Sequence, residues 1–311
     1  VAADMARKSI VLLKNEKNIL PLSAQTGTIA LIGPFVKAKK DHLGFWSYDW
    51  PDDSVRIASI WEAVSRKRGG ESKLLYAKGA AITGEDRSGF AEAVEKARQA
   101  DLVILTVGEA RDMSGEAKSR SSIQLPGVQE ELVKEIIAVG KPTVVLISAG
   151  RPLIFNWTAD HAPAILYTWW LGTEGGNAIA DVLFGDYNPS GRLPMSFPRA
   201  EGQIPIYYNH YNTGRPAMND SDKFYRSAYS DLSIYPKYPF GYGLGYAQFE
   251  YSPVRLSTAT LRKGQTLRAS VTITNTGKVA GKETVQLYIR DMSGSVVRPV
   301  RELKGFQQLQ L

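Results

Sequence analysis

Five short apolar runs, four of them followed by a stretch of helical period, restrict this chain more than any other feature. They cover residues 28–33, 73–77, 101–107, 142–148 and 164–169, and include TIALIG, DLVILTV and AILYTW. Strands apolar on both faces belong in a sheet covered on both sides, and such sheets are mostly parallel. Helical patterns lie over 54–68, 90–100, 126–139 and 174–184, with Ser54 as N-cap of the first and Pro126 near the start of the third. Residues 1–14 also read as helix, because Ala2, Ala6, Ile10 and Leu13 share one face. The expected fold is α/β: a mostly parallel sheet flanked by helices, an α/β sandwich over residues 1–199. Right-handed crossovers then place the strand C-termini on one edge, where ligands bind in such sheets.

The pattern changes twice further on. Residues 200–252 are rich in Tyr, Pro, Gly and Asn and lack a long period, which reads as a linking strap. The aromatic and Gly repeats of 235–249, YPKYPFGYGLGYAQF, suggest burial between domains. From residue 253 the period becomes two: Leu267, Ala269, Val271 and Ile273 alternate with polar residues, Asn275–Gly277 turns, and Val285, Leu287 and Ile289 alternate again. This is the start of an all-β sandwich, with about four strands expected by Leu311, fewer than the roughly seven a sandwich needs. The opening residue is Val1 rather than Met, so the chain reads as an interior segment or a processed product.

Composition excludes several chemistries. There is no Cys among the 311 residues, which removes disulfides, thiolate catalysis and Cys-bound zinc. His42, His161 and His210 do not have metal-ligand spacing, and no metal or organic cofactor is expected. The net charge of +7 is carried in short clusters, Lys37–Lys40 and Arg66–Arg68, without a nucleic-acid module around them. No run of about 18 apolar residues provides a membrane span. Gly33-Pro34 lacks a dinucleotide fingerprint, and Ser148-Ala-Gly150 is no nucleophile elbow. Gly175-Gly176 lacks phosphate-loop spacing, and Thr173 and Glu174 beside it read as helix-capping residues.

The chemistry concentrates after the third apolar run. The polar loop 109–125 carries two glutamates, Glu109 and Glu116, on the ligand-facing edge. Two carboxyl groups on one loop are the material of general acid/base and nucleophilic chemistry. The acid must be protonated at the start of each cycle, which apolar surroundings or a second carboxylate favour. Spacing alone leaves both glutamates open, and leaves open that both are solvated loop residues. Asp49 and Asp53 look like an acid pair, but Asp53 lies near an expected helix start, where a carboxylate is favourable anyway.

Residues 172–199, GTEGGNAIADVLFGDYNPSGRLPMSFPR, resemble the signature of the second domain of glycoside hydrolase family 3, the retaining β-glucosidases and their relatives. The loop Glu116-Ala-Lys-Ser-Arg120 followed by Leu125-Pro126-Gly127, and YPFGYGL at 238–244, extend the likeness over nearly the whole chain. The resemblance implies the C-terminal α/β domain carrying the acid/base loop, then a truncated fibronectin type III-like domain. It selects Glu116 as general acid/base, with Glu109 second. Arg120 then orients the Glu116 loop, touches a sugar hydroxyl, or makes an ion pair that holds the loop. Trp46, in LGFWSYDW, either stacks on a sugar ring or packs in a core or domain interface. In NHYNTGRP, His210 and Arg215 either approach the site rim or belong to the strap.

The implied function is that of an exo-acting, retaining β-glycosidase of the β-glucosidase type, acting by double displacement on terminal non-reducing β-D-glucosyl residues. Its substrate would be an oligosaccharide or β-glucoside. An N-terminal barrel domain of the same protein would supply the Asp nucleophile, so this chain alone is expected to be inactive. The resemblance is strongest to bacterial periplasmic enzymes, implying a periplasmic or secreted location, and it admits a homodimer. Two alternatives stand beside it: a β-xylosidase or arabinofuranosidase of the same family, and a non-catalytic carbohydrate-binding or structural subunit.

Overall fold

The computed structural model describes residues 1–23, 25–48 and 56–311. Its helices are α1 (Ala2–Ser9), α2 (Ile60–Arg68), α3 (Phe90–Gln99), α4 (Gln129–Ala138), α5 (Asn156–His161) and α6 (Gly175–Leu183). They surround a sheet of β1 (Val11–Asn15), β2 (Ile29–Ile32), β3 (Leu74–Ala77), β4 (Leu102–Gly108), β5 (Thr143–Ser148) and β6 (Ala164–Tyr167). The strand order is β1-β6-β5-β4-β2-β3. β1 runs antiparallel to β6, and the other neighbours are parallel. Leu105 therefore sits beside Ile32 on one side and Val145 on the other. β2, β4, β5 and β6 are buried along their whole length, as their continuous apolar runs require.

Each sheet face has its own core. On one, α3, α4 and α5 contribute Ala93, Ala97, Leu132, Ile136 and Ala159 against Ile32, Val103 and Val145. On the other, α1, α2 and α6 contribute Ala6, Ile60, Val64, Ile179 and Leu183 against Leu31, Ile104 and Leu146. Burying each of these larger aliphatic side chains stabilises the fold by roughly 1.5–3 kcal/mol.

Local chemistry revises several expected boundaries. The helix expected over 1–14 ends at Ser9, and Ile10 is extended. Val11–Leu13 are buried and pair with β6, so sheet formation overrides the helical period. The start of the second helix, with Ser54 as cap, lies outside the described residues, but residues 56–59 are not helical. Ser59 is the cap: its Oγ accepts from the Glu62 amide at 3.2 Å, and the Glu62 carboxylate accepts from the Ser59 amide at 2.9 Å. The fourth helix starts at Gln129 rather than Pro126, because Gly127 is left-handed. Residues 172–174 form a short 3₁₀ turn. Glu174 occupies the cap position of α6 without capping it, and its carboxylate takes the Asn177 side-chain amide at 2.6 Å. The basic clusters are engaged inside the chain: Lys67 with Asp181 at 2.7 Å, Lys39 with Glu62 at 2.9 Å, and Lys37 over Tyr76 at 4.1 Å.

The C-terminal region holds three antiparallel pairs: β7 (Phe249–Tyr251) with β10 (Ile273–Asn275), β8 (Arg255–Leu256) with β9 (Ala269–Ser270), and β11 (Lys282–Ile289) with β12 (Glu302–Gln310). Residues 253–311 thus hold five strands rather than about four, and β7 lies within the expected strap, because two- and three-residue strands are too short to show a period. The strap is laced to the α/β body. Phe197 donates to Tyr238 O and Leu193 to Tyr242 O, both at 2.8 Å, and Leu244 donates to Leu12 O at 2.8 Å. Tyr238 enters the core among Phe155, Tyr167 and Phe197. Phe240 stacks on Tyr208 at 4.3 Å, and Tyr208 meets Tyr288 of β11, so strap aromatics do lie between the two regions.

Candidate active site

The C-terminal ends of β2, β3, β4 and β5 share one edge of the sheet. An open cleft of about 490 Å³ lies there, lined by Pro34, Lys78 and Thr83 from the first two exits and by Ala110, Asp112 and Met113 from the third. The chain leaves β4 at Gly108, whose φ is +146°, where an added Cβ would stand 1.8 Å from Ser148 O. Gln129 seals this strand end like a third strand: its Oε1 accepts from Gly108 N and its Nε2 donates to Gly108 O, both at 2.8 Å.

Glu109 follows directly and is 0% exposed. A carboxylate this deep persists only when paired. Arg120 Nη1 lies 2.5 Å from its Oε1, and Arg151 Nε lies 3.1 Å from the same oxygen. Arg120 also donates to Gln124 O at 3.2 Å. Arg151 donates through Nη2 to Lys118 O at 2.8 Å and to Met113 O. The Tyr167 hydroxyl donates to Arg151 O. Burial first, and the Glu109 charge second, hold that phenol well above its ordinary pKa, so it remains a donor. Glu109 thus forms the root of the loop, enclosed by cations.

Glu116 is at the opposite extreme. It is exposed, in a turn where Lys118 N donates to Gly115 O at 3.3 Å and Ala117 is left-handed at φ 57°. Gly115 lies against Phe45, and a Cβ there would come within 2.3 Å of the ring. Trp46 meets Phe45 edge to face at 5.0 Å and is itself 75% exposed, so it fills no core of this chain. Phe45 therefore brings the Trp46 loop and the Glu116 turn together. Among the expected roles of Arg120, the ion pair that holds the loop is the contact observed. His210 and Arg215 are exposed in the strap, where their carbonyls accept from Val300 at 2.9 Å and Ser227 at 2.8 Å. Asp49 and Asp53 lie outside the described residues.

Comparison with known proteins decides the family. The glycosyl hydrolase family 3 C-terminal domain matches residues 10–246, and a fibronectin type III-like domain matches residues 283–311. The chain belongs to glycosyl hydrolase family 3. It is 46% identical to the periplasmic beta-glucosidase of Salmonella typhimurium, over all of this chain and 43% of that protein. It is 40% identical to a beta-xylosidase of Formosa agariphila, over all of this chain and 42% of that protein. The beta-glucosidase of Listeria innocua in complex with isofagomine superposes with a TM-score of 0.92 at 36% identity, covering 99% of this chain and 42% of that one. The chain thus spans less than half the length of these relatives.

Within this family 3 chain, residues 172–199 do more than turn. Asn188 accepts from Tyr246 N at 2.7 Å and donates to Ala280 O at 2.9 Å. Arg192 pairs with Glu283 at 2.9 Å, and Glu283 also accepts from the Tyr251 hydroxyl at 2.7 Å. The run is the joint between the α/β body and the β region. Sequence reading did not single out Arg151. Its only local signal was a charged side chain three residues beyond a buried strand, on the edge that holds the strand C-termini.

Proposed function

We propose that this chain carries the acid/base half of a retaining, exo-acting β-glucosidase site, with Glu116 as the acid/base. The observation behind this reading is the contrast between the two candidate glutamates. Glu109 is consumed by Arg120 and Arg151, whereas Glu116 is exposed on the same loop and has no hydrogen-bond partner among the described residues. The division proposed with it is an α/β domain over 1–199 carrying the loop, a strap over 200–252, and a truncated fibronectin type III-like β region over 253–311. An aspartate on a separate barrel domain provides the nucleophile. Its carboxylate oxygen attacks the anomeric carbon as the glycosidic C–O bond breaks, and Glu116 gives its proton to the leaving oxygen. Glu116 then takes a proton from water, whose oxygen attacks the anomeric carbon and releases the nucleophile. Trp46 offers an aromatic face to the substrate beside the Glu116 turn. The Salmonella relative supports a periplasmic location and a β-glucoside substrate. The Formosa relative favours one alternative, a β-xylosidase.

The test is Glu116→Ala in the full-length enzyme. Turnover of glucosides with poor leaving groups should fall by about 10²–10⁴-fold, activated aryl glucosides should lose far less, and azide should restore rate. Equal loss on both substrate types would remove the assignment. A panel of nitrophenyl glycosides separates glucosidase from xylosidase.

A further inference from the structure

We propose that Arg151 is the positioning residue of the acid/base, holding Glu116 in register from a neighbouring strand's loop. This rests on the assignment of Glu116 above. One nitrogen, Arg151 Nη2, donates to the carbonyls of both Met113 and Lys118. Those carbonyls flank the excursion Ser114–Ala117, so a single guanidinium closes its base, and Glu116 stands near its tip. The other side of the same fork, Nε, is fixed on the buried Glu109 carboxylate at 3.1 Å. Glu109 is fixed in turn by Arg120 at 2.5 Å and by its own amide on Ser148 O at 2.8 Å. The Arg151 backbone is held by the Tyr167 hydroxyl. Gly150 packs so closely on Ser114 that a Cβ would stand 2.9 Å from it.

The charges sum to an excess of one cation over Glu109. That excess faces the carbonyl oxygens of Met113, Lys118 and Gln124 rather than a second carboxylate. Exposed turns ordinarily sample many conformations, and fixing each residue costs about 1–2 kcal/mol in chain entropy. Here that ordering is complete before substrate arrives, in a turn whose tip must stand within hydrogen-bond reach of a leaving oxygen. The planar fork is essential, because its separate edges engage the carboxylate and the two carbonyls at once. A lysine ammonium is a single point of charge and cannot serve both.

The experiment uses the full-length enzyme with Arg151→Lys, which keeps a cation beside Glu109, and a series of aryl glucosides running from dinitrophenyl to phenyl. The expected result is a loss of about tenfold to a hundredfold in kcat/KM for phenyl glucoside. Dinitrophenyl glucoside should lose less than about threefold, and KM should barely move. A merely structural role predicts equal losses along the series, or none once the variant is folded, and either result overturns the proposal. If Arg151→Lys does not fold, Arg151→Gln, which retains an amide donor for the carbonyls, is judged by the same criterion. Glu116→Ala is measured on the same series. A steep Glu116→Ala dependence beside a flat Arg151 variant refutes only the positioning role. A flat Glu116→Ala dependence refutes the acid/base assignment and the proposal together.

Discussion

The root and the tip of the loop after β4 are built on opposite principles. At the root, Glu109 is fully buried and every neighbour is specified: two guanidiniums, a strand carbonyl and a phenol behind them. At the tip, Glu116 is exposed on a left-handed turn with one aromatic ring for support. Two glutamates seven positions apart thus differ in what the fold has done with them: one spends its charge on the protein, and the other is left to solvent. Ionisable residues do not advertise function by type alone. What distinguishes these two is whether the fold has already satisfied them.

The sharpest way to break this contrast is to remove both charges in turn. Glu109→Ala leaves two arginines facing each other with little solvent, and should cost about 3–5 kcal/mol in urea unfolding. Glu116→Ala should stay within about 0.5 kcal/mol of the parent. Comparable losses would show that the tip is as structural as the root.

A pH titration should show the same asymmetry through His42. Burial holds the His42 imidazole down to about 4, and its neighbour Asp41 accepts the Arg111 amide at the start of the loop. The folded pKa lies below the unfolded value of 6.5, so the unfolded chain binds more protons between pH 6.5 and 4. Stability is therefore complete above pH 6.5 and falls as pH drops toward 4, by on the order of 3 kcal/mol. His42→Leu should flatten that limb of thermal midpoint against pH, and an unchanged limb would place the titrating group elsewhere.

Smaller effects belong to the tip. Gly115→Ala forces a Cβ into the Phe45 ring, and should cost about 1–3 kcal/mol with a larger proportional loss in kcat than in KM. Trp46→Ala should leave stability within about 0.5 kcal/mol, because the ring is already in solvent, and raise KM roughly two- to tenfold. An unchanged KM would remove Trp46 from the substrate surface.

Much of the fold could be read from sequence because its signals are local. The strands expected at 28–33, 73–77, 101–107, 142–148 and 164–169 appear as β2 to β6 with ends shifted by a few residues. Six-residue α5 was missed because it is too short to show a period. β1 was misread because its partners, β6 and the strap, lie far along the chain. The site divides in the same way. The loop and both glutamates were visible as motif and spacing. The burial of Glu109 depends on Arg151, 42 positions away, and no local pattern carries that information.

β1 imposes an order on how the molecule can be assembled. Leu12 pairs with Leu166 on one side and Leu244 on the other, and Leu13 O receives the Tyr242 hydroxyl. A ribosome must deliver residue 244 before residue 12 has both of its neighbours. At roughly 5–20 residues per second, that wait lasts on the order of ten to fifty seconds. Until β6 at residues 164–167 has been made, after roughly eight to thirty seconds, Val11–Asn15 has no strand to join. The helical period of residues 1–14, which misleads a reader of the sequence, offers that segment a local structure needing no distant partner. The completed sheet then takes it back as an edge strand.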